Sequence, residues 1–362
     1  GAPAPAAAAP RLAAPVERAD TTPLPRDVLT DRFGRFHGYL RLSLTERCNL
    51  RCRYCMPAAG VSDLTPAPEL LTADEIERVA RVFARAGARK VRLTGGEPTL
   101  RRDLAEICAR VRGAGVASVG LTTNAVALLK PTPNGGTVLD GLVDAGLDSV
   151  NVSLDSLDPL AFSRMTRRPP ATHAKVMRAV EACAAAGLRT KVNCVVLRGE
   201  NDAGLAAFAR AFPETVSVRF IEWMPFPGNA YDESRLVPYA EMVERIGGLN
   251  PVPSDDPHDT TKWWTIDNRE IGFITSMSEH FCGTCNRVRV TADGSLKTCL
   301  FGSDALSLRD LMRGGASDAD VASGIFGALQ QKHFKHGGHA DAAGIADAAA
   351  ANDNRPMVKI GG

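Results

Sequence analysis

The sequence predicts an α/β fold, an incomplete TIM-like (βα)6 barrel followed by a C-terminal β-rich extension. Two observations carry this expectation. Between residues 39 and 247, short apolar strands alternate six times with amphipathic helical stretches, which implies parallel pairing through right-handed crossovers. Polar residues recur just past the strands: Cys48, Gly95 to Glu97, Thr122 to Asn124, Ser153, Asp155, Glu222 and Met224. α/β barrels gather their active sites at that carboxyl face, whereas a doubly wound sheet concentrates them at one switch point.

The elements follow in order. YLRLSLT (39–45) reads as the first strand. A helix begins at Thr72, where Thr72 and Glu75 have capping-box spacing. Ile76, Val79, Ala80 and Phe83 line its inner face, and Gly87 ends it. KVRLT (90–94) is the second strand, followed by a helix with Leu104, Ile107 and Val111 inward. SVGLT (118–122) is the third, then a short helix with Leu139, Leu142 and Val143. DSVNVSL (148–154) precedes a helix carrying Val176, Val180 and Cys183. TKVNCVVL (190–197) precedes Leu205, Phe208 and Phe212. TVSVRFI (215–221) precedes a helix around 238–247. Beyond 250, short alternating pieces and the turn ADG at 292–294 predict hairpins.

Three regions result: an Ala/Pro-rich leader over 1–28, expected to be disordered; the barrel over 29–250; and the extension over 251–362, which ends in Gly361-Gly362. The net charge of +2 gives no bulk attraction to nucleic acid or an acidic membrane, and neither is expected as a partner. No run approaches the roughly 18 apolar residues of a membrane span, and the leader lacks the basic start and apolar core of a signal peptide. The odd count of nine cysteines without an export signal argues against a disulfide framework and for a cytoplasmic setting. Cys108, Cys183 and Cys194 lie in apolar surroundings and read as buried packing.

The other six cysteines form two groups. Cys48, Cys52 and Cys55 have C-x3-C-x2-C spacing, so one loop presents three thiolates to a compact object. Three ligands leave a corner open, as a reactive iron–sulfur cubane requires; a zinc ion completed by a distant ligand is the alternative. Cys282, Cys285 and Cys299 follow C-x2-C-x13-C, for which a zinc ribbon with His280 as fourth ligand stays open. Arg287 and Arg289 lie two apart, as do Lys90 and Arg92, and Arg41 and Lys191 add charge on the first and fifth strands. Alternate residues of a strand share a face. Such pairs are commonly a solvated strand face, but inside a barrel they are costly without an anion, and converging bases bind a triphosphate well.

These motifs resemble the GTP 3′,8-cyclase (MoaA) family of radical S-adenosylmethionine (SAM) enzymes. The likeness runs from about Phe33 to Gly362. It is most specific in RLSLTERCNLRCRYCMP (41–57), VRLTGGEPTLR (91–101), GLTTN (120–124), VNVSLDS (150–156), RFIEWM (219–224) and FCGTCNRVRVTADGSLKTCLF (281–301). It implies two [4Fe-4S] clusters. Cys48, Cys52 and Cys55 would hold the one that binds SAM, with Tyr54, Gly96, Ser153 and Met224 contacting that cofactor. Cys282, Cys285 and Cys299 would hold the second, whose open iron meets the guanine base. Arg41, Lys90, Arg92, Thr122, Lys191, Arg219, Arg287 and Arg289 would contact GTP, with Thr123 able to exchange roles with Thr122 and Arg219 able to serve the SAM carboxylate instead. In the family the terminal Gly-Gly, here Gly361 and Gly362, reaches the active site and is needed for activity.

The implied reaction converts GTP to (8S)-3′,8-cyclo-7,8-dihydroguanosine 5′-triphosphate, the first step of molybdenum cofactor biosynthesis. A deoxyadenosyl radical takes hydrogen from ribose C3′, which closes on guanine C8. The implied partners are GTP, an electron donor and a downstream cyclic pyranopterin monophosphate synthase, and a homodimer is compatible with the likeness. Ala125 departs from the pattern, standing where the family usually has Gly. The nearest rival is a peptide-modifying radical enzyme, which commonly carries a longer C-terminal run of cysteines.

Overall fold

The computed structural model describes residues 22–133 and 135–361. Six parallel strands form its centre, in sequence order: β1 (Tyr39–Ser43), β2 (Lys90–Thr94), β3 (Ser118–Thr123), β4 (Ser149–Ser153), β5 (Arg189–Val196) and β6 (Val216–Glu222). They match the six strands read from the sequence. Between and after them lie α1 (Ala73–Arg85), α2 (Leu104–Gly113), α3 (Val138–Asp144), α4 (Pro159–Thr166), α5 (Ala171–Ala185), α6 (Leu205–Arg210) and α7 (Tyr239–Ile246). The capping box at Thr72 and Glu75 is formed: each side chain accepts the other's backbone N–H, which fixes the start of α1. Cys108, Cys183 and Cys194 are buried in the main core, as packing predicts.

The extension joins this sheet. Its strands are β7 (Asn250–Val252), β8 (Thr261–Ile266), β9 (Arg269–Ile274), β10 (Arg287–Val290), β11 (Ser295–Lys297) and β12 (Leu306–Ser307). β9 pairs parallel to β6, and β10 pairs parallel to β1. Among the described residues one twelve-stranded sheet results, in the order β12-β11-β10-β1-β2-β3-β4-β5-β6-β9-β8-β7. The extension therefore widens the barrel wall at both edges. Gly294 turns the β10–β11 hairpin with φ 85°, as the ADG turn predicts.

Two expectations need correction. The extension is β-rich only as far as Ser307; it continues as four helices, α8 (Leu308–Arg313), α9 (Asp318–Gln330), α10 (Ala342–Ala350) and α11 (Met357–Ile360). Alanine and glycine dilute the apolar period of α9 and α10, although Ser317 and Asp320 form a capping box ahead of Val321, Ile325 and Leu329. Residues 22–28, read as leader, lie against the barrel: Leu24 N–H donates to Arg85 O, and Val28 is buried. Residues 1–21 lie outside the described residues.

Alternation of side chains divides the sheet's faces. Leu40 and Leu42, Val91 and Leu93, Val119 and Leu121, Val150 and Val152, and Val218 and Phe220 join the helices in one core. Tyr39, Arg41, Lys90, Arg92, Lys191 and Arg219 occupy alternate positions and line a cavity.

Glu222 fastens the end of β6. Its carboxylate is fully buried and accepts the Tyr239 N–H at 2.9 Å and the Met277 and Ser278 N–H groups at 2.8 and 2.9 Å. This ties β6 to the start of α7 and to the turn after β9. Glu222→Ala leaves the buried Met277 N–H and two part-buried N–H groups without an acceptor and is expected to cost about 2 kcal/mol or more, read as a lower urea midpoint.

Candidate active site

Strand register builds the first half of the site. Arg41 lies opposite Arg92 on one side and Arg289 on the other. One pair nearer the amino ends, Tyr39 lies opposite Lys90 and Arg287. Lys191 lies opposite Asn151, which lies opposite Thr122. Arg219 lies opposite Asn193 and grips its Oδ1 through Nε and Nη2 at 3.0 and 2.8 Å. Room for the Arg92 guanidinium comes from Gly120 on β3, where a Cβ would lie 2.7 Å from that group. All eight residues expected to contact GTP line this one chamber of about 260 Å³.

The chamber holds more positive charge than its walls neutralise. Among the described residues, Arg41, Lys90, Arg92, Lys191, Arg219, Arg287 and Arg289 form no ion pair; the acids on the wall are Asp256 and Asp259. Burial, then repulsion from neighbouring bases, lowers Arg41 to about 9 and Arg219 to about 10, and burial lowers Lys191 to about 8. Arg41 Nε, Arg287 Nη1, Arg289 Nε and the Thr122 hydroxyl are buried without a hydrogen-bond partner. Thr123 is committed elsewhere, donating to Glu97 Oε1 at 2.6 Å. Such a chamber calls for a polyanion.

Cys282, Cys285 and Cys299 sit on the same wall with His280 and His336. Lys332 is buried behind them, with Nζ donating to Thr298 O and lying 4.0 Å from Cys285 Sγ. Burial alone would raise the Cys285 thiol, but Lys332, Arg287 and Arg289 outweigh it and lower it.

A second chamber of about 180 Å³ lies beside the first and holds Cys48, Cys52 and Cys55 with Tyr54, Gly96, Ser153 and Met224. Glu97 braces it: buried, it accepts from Thr99, Thr123 and the Asn124 N–H. The Gly96 and Glu97 N–H groups bond Thr45 O and Arg47 O, so the glycine turn lies against the cysteine loop. Tyr54 donates to Asp155 at 2.9 Å, and burial raises Asp155 to about 6 against the pull of the Val195 N–H and that hydroxyl. Ala125, in the family's glycine position, has φ 61°, which explains the usual preference for Gly. Thr122, Asn193, Ile221, Met224 and Met357 line both chambers.

The carboxyl end closes this junction. Arg355 pairs with Asp293 at 2.8 Å and with Asp304, and Lys359 pairs with Asp63 at 2.9 Å. Gly361 (φ 82°) then rests on the ends of β1 and β2, where a Cβ would overlap Thr94 Oγ1 and come within 3.1 Å of Ser43 Cβ. Gly362 lies outside the described residues.

The first triplet's sulfurs lie farther apart than one ion's ligands, while Cys282 lies with His280 and His336 as one ion's ligands would. A tetrahedral zinc with sulfur ligands at 2.3 Å brings those sulfurs to about 3.8 Å from one another. Among the described residues, only His280, Cys282 and His336 gather three ligand atoms within 4.8 Å of one another; neither cysteine triplet does. All six thiols are free of disulfides. Burial raises the Cys48 thiol to about 11 and raises Cys52 and Cys55 as well, so a cation bound between them would favour their thiolates.

Comparison with known proteins agrees with this geometry. Residues 42–212 match the Radical SAM superfamily, and 216–338 match Molybdenum Cofactor Synthesis C. The GTP 3′,8-cyclase, mitochondrial, of Arabidopsis thaliana is 46% identical over 93% of this chain and 84% of its own length. The chain belongs to the GTP 3′,8-cyclase family. The GTP 3′,8-cyclase of Rhodopirellula baltica is 37% identical over 85% of this chain and 87% of its own length. Molybdenum cofactor biosynthesis protein 1 of Mus musculus is 47% identical over 92% of this chain, which spans 51% of that protein. Among solved structures, SuiB of Streptococcus suis bound to S-adenosylmethionine shares the fold, with a TM-score of 0.54 at 14% identity over 83% of this chain and 69% of that one. No helix among the described residues is long and apolar enough to cross a membrane.

Strand alternation could have revealed two further residues lining the basic chamber, Tyr39 two residues before Arg41 and Asn193 two after Lys191. His336, Lys332 and Asp259 carry no local signal. Tyr39 is buried; its hydroxyl accepts from Arg92 Nε at 2.8 Å, and Lys90 Nζ lies 4.8 Å from its ring. Burial would raise the phenol, but Arg92, Arg41, Lys90 and Arg287 together draw it down to about 6. Because this folded value lies below the unfolded one of 10, the phenolate's stabilisation is full above pH 10 and disappears as pH falls through about 6. Near-ultraviolet phenolate absorbance is expected to titrate near 6, to vanish in Tyr39→Phe, and to move to higher pH when GTP neutralises the bases. Titration of every tyrosine near 10 would contradict this field.

Proposed function

We propose that this chain converts GTP to (8S)-3′,8-cyclo-7,8-dihydroguanosine 5′-triphosphate by radical chemistry at the wall between its two chambers. The wall itself carries the reading: Thr122, Asn193, Ile221, Met224 and Met357 face a cysteine triplet on one side and a basic chamber on the other. A cofactor and a substrate held in these chambers meet with no element between them.

In this reading Cys48, Cys52 and Cys55 hold a [4Fe-4S] cluster, and Tyr54, Gly96, Ser153 and Met224 hold SAM beside it. When bound, this pair supplies the radical that removes a ribose hydrogen. Cys282, Cys285 and Cys299 hold a second [4Fe-4S] cluster for the guanine base. Arg41, Lys90, Arg92, Lys191, Arg219, Arg287 and Arg289 take the triphosphate, and the free Thr122 hydroxyl adds a polar contact. Arg219 is assigned to GTP because it lines only the basic chamber. Holding base and phosphates together leaves the ribose little freedom, and this positioning is the protein's share of the catalysis. Gly361 lies at the strand ends, where the family's terminal Gly-Gly has its function. An electron donor starts each cycle, and a cyclic pyranopterin monophosphate synthase consumes the product.

Anaerobically reconstituted protein, given reductant and SAM, is expected to consume GTP with 5′-deoxyadenosine formed in step. Deoxyadenosine formed at the same rate without GTP would favour the peptide-modifying rival. Arg287→Ala is expected to raise the KM for GTP at least about tenfold with unchanged iron; loss of iron would make Arg287 structural. Gly361→Ala is expected to lower GTP turnover at least about tenfold while iron content stays constant.

A further inference from the structure

The loop carrying Cys48, Cys52 and Cys55 wears a collar of arginines on its outer side. Arg51 Nη1 donates to Cys48 O and Leu50 O at 2.7 and 2.8 Å. Arg167 Nη1 donates to Arg51 O and Met56 O at 2.8 and 3.1 Å, and Arg168 Nε to Asn49 O at 2.5 Å. Arg47 and Arg53 are exposed on the loop itself. None of the five lines either chamber.

Bonds to carbonyls place these guanidiniums but do not neutralise them. Among the described residues, Arg47, Arg51, Arg167 and Arg168 form no ion pair; Arg53 pairs with Glu200 at 2.9 Å, an acid shared with Arg235. Elsewhere, Arg245 and Arg355 each pair with two carboxylates. Because the whole chain carries only +2, this concentration of positive charge is local. It surrounds the place where the cysteine loop meets the surface, since exposed Arg53 lies between Cys52 and Cys55.

We propose that Arg47, Arg51, Arg53, Arg167 and Arg168 form the docking face for an acidic one-electron donor protein that reduces the first cluster. The inference rests on the cluster assignment under Proposed function. One electron leaves the donor's flavin or iron–sulfur centre and enters the cluster; no bond forms and no proton moves. Electron transfer falls steeply with distance, so the donor must approach where the cluster's ligands near the surface, and a basic collar steers an acidic surface there.

The test follows reduction of the reconstituted protein without GTP, by electron paramagnetic resonance of the cluster that responds to SAM. An acidic flavodoxin in its hydroquinone form is compared with dithionite. In Arg47→Glu combined with Arg53→Gln, half-saturation by flavodoxin is expected at about fivefold higher concentration or more at low ionic strength. The difference should fade in about 1 M salt, where screening acts within about 3 Å. Dithionite reduction and iron content should not change. Unchanged half-saturation would overturn the proposal. So would equal slowing under dithionite, which would make the collar a brace for the loop. The readout needs no turnover of GTP, so it stands apart from a failure of the cyclase reading.

Discussion

A cluster of largely desolvated positive charge, only partly countered by its own walls, dominates this molecule. Seven bases face one chamber, and burial pulls several below their ordinary pKa because the cations lack solvation there. An arrangement of this kind is costly in a protein that closes on itself. It makes sense when the missing charge arrives with a ligand. The register of β10, β1 and β2 puts the bases in two rows, Gly120 clears room for one guanidinium, and Tyr39 holds the cluster with the single acidic hydroxyl among its bases.

The extension completes that cluster. Arg287 and Arg289 reach the chamber only because β10 pairs with β1, and Gly272 meets Arg219 only because β9 pairs with β6. Both edges of the sheet are therefore built late in the chain. The second cysteine triplet arrives with β10, and the C-terminal segment, pinned by Arg355 and Lys359, brings Gly361 onto the ends of β1 and β2. The radical SAM half and the C-terminal half are parts of one site.

Much of this was legible in the sequence. Strands β1 to β6 are apolar on the helix side and punctuated by helix signals, so alternation located each one. The bases at i and i+2 named their own shared face. Pairing across a long separation leaves no local trace, so the joining of β9 and β10 to opposite edges was hidden; alanine and glycine concealed α9 and α10, and α8 and α11 are too short to show a period. The braces Glu97, Asp155 and Glu222 are single acids whose partners lie on distant segments. Tyr39 and Asn193 were within reach of the same alternation that found Arg41 and Lys191.

Calorimetric titration of the reconstituted protein with guanosine, GMP and GTP tests the need for an anion most directly. GTP is predicted to bind at least about a hundredfold tighter than guanosine, equivalent to about 2.8 kcal/mol from charge-assisted contacts, with GMP between them and the advantage falling as salt rises. Guanosine binding as tightly as GTP, or an affinity indifferent to salt, would contradict the account.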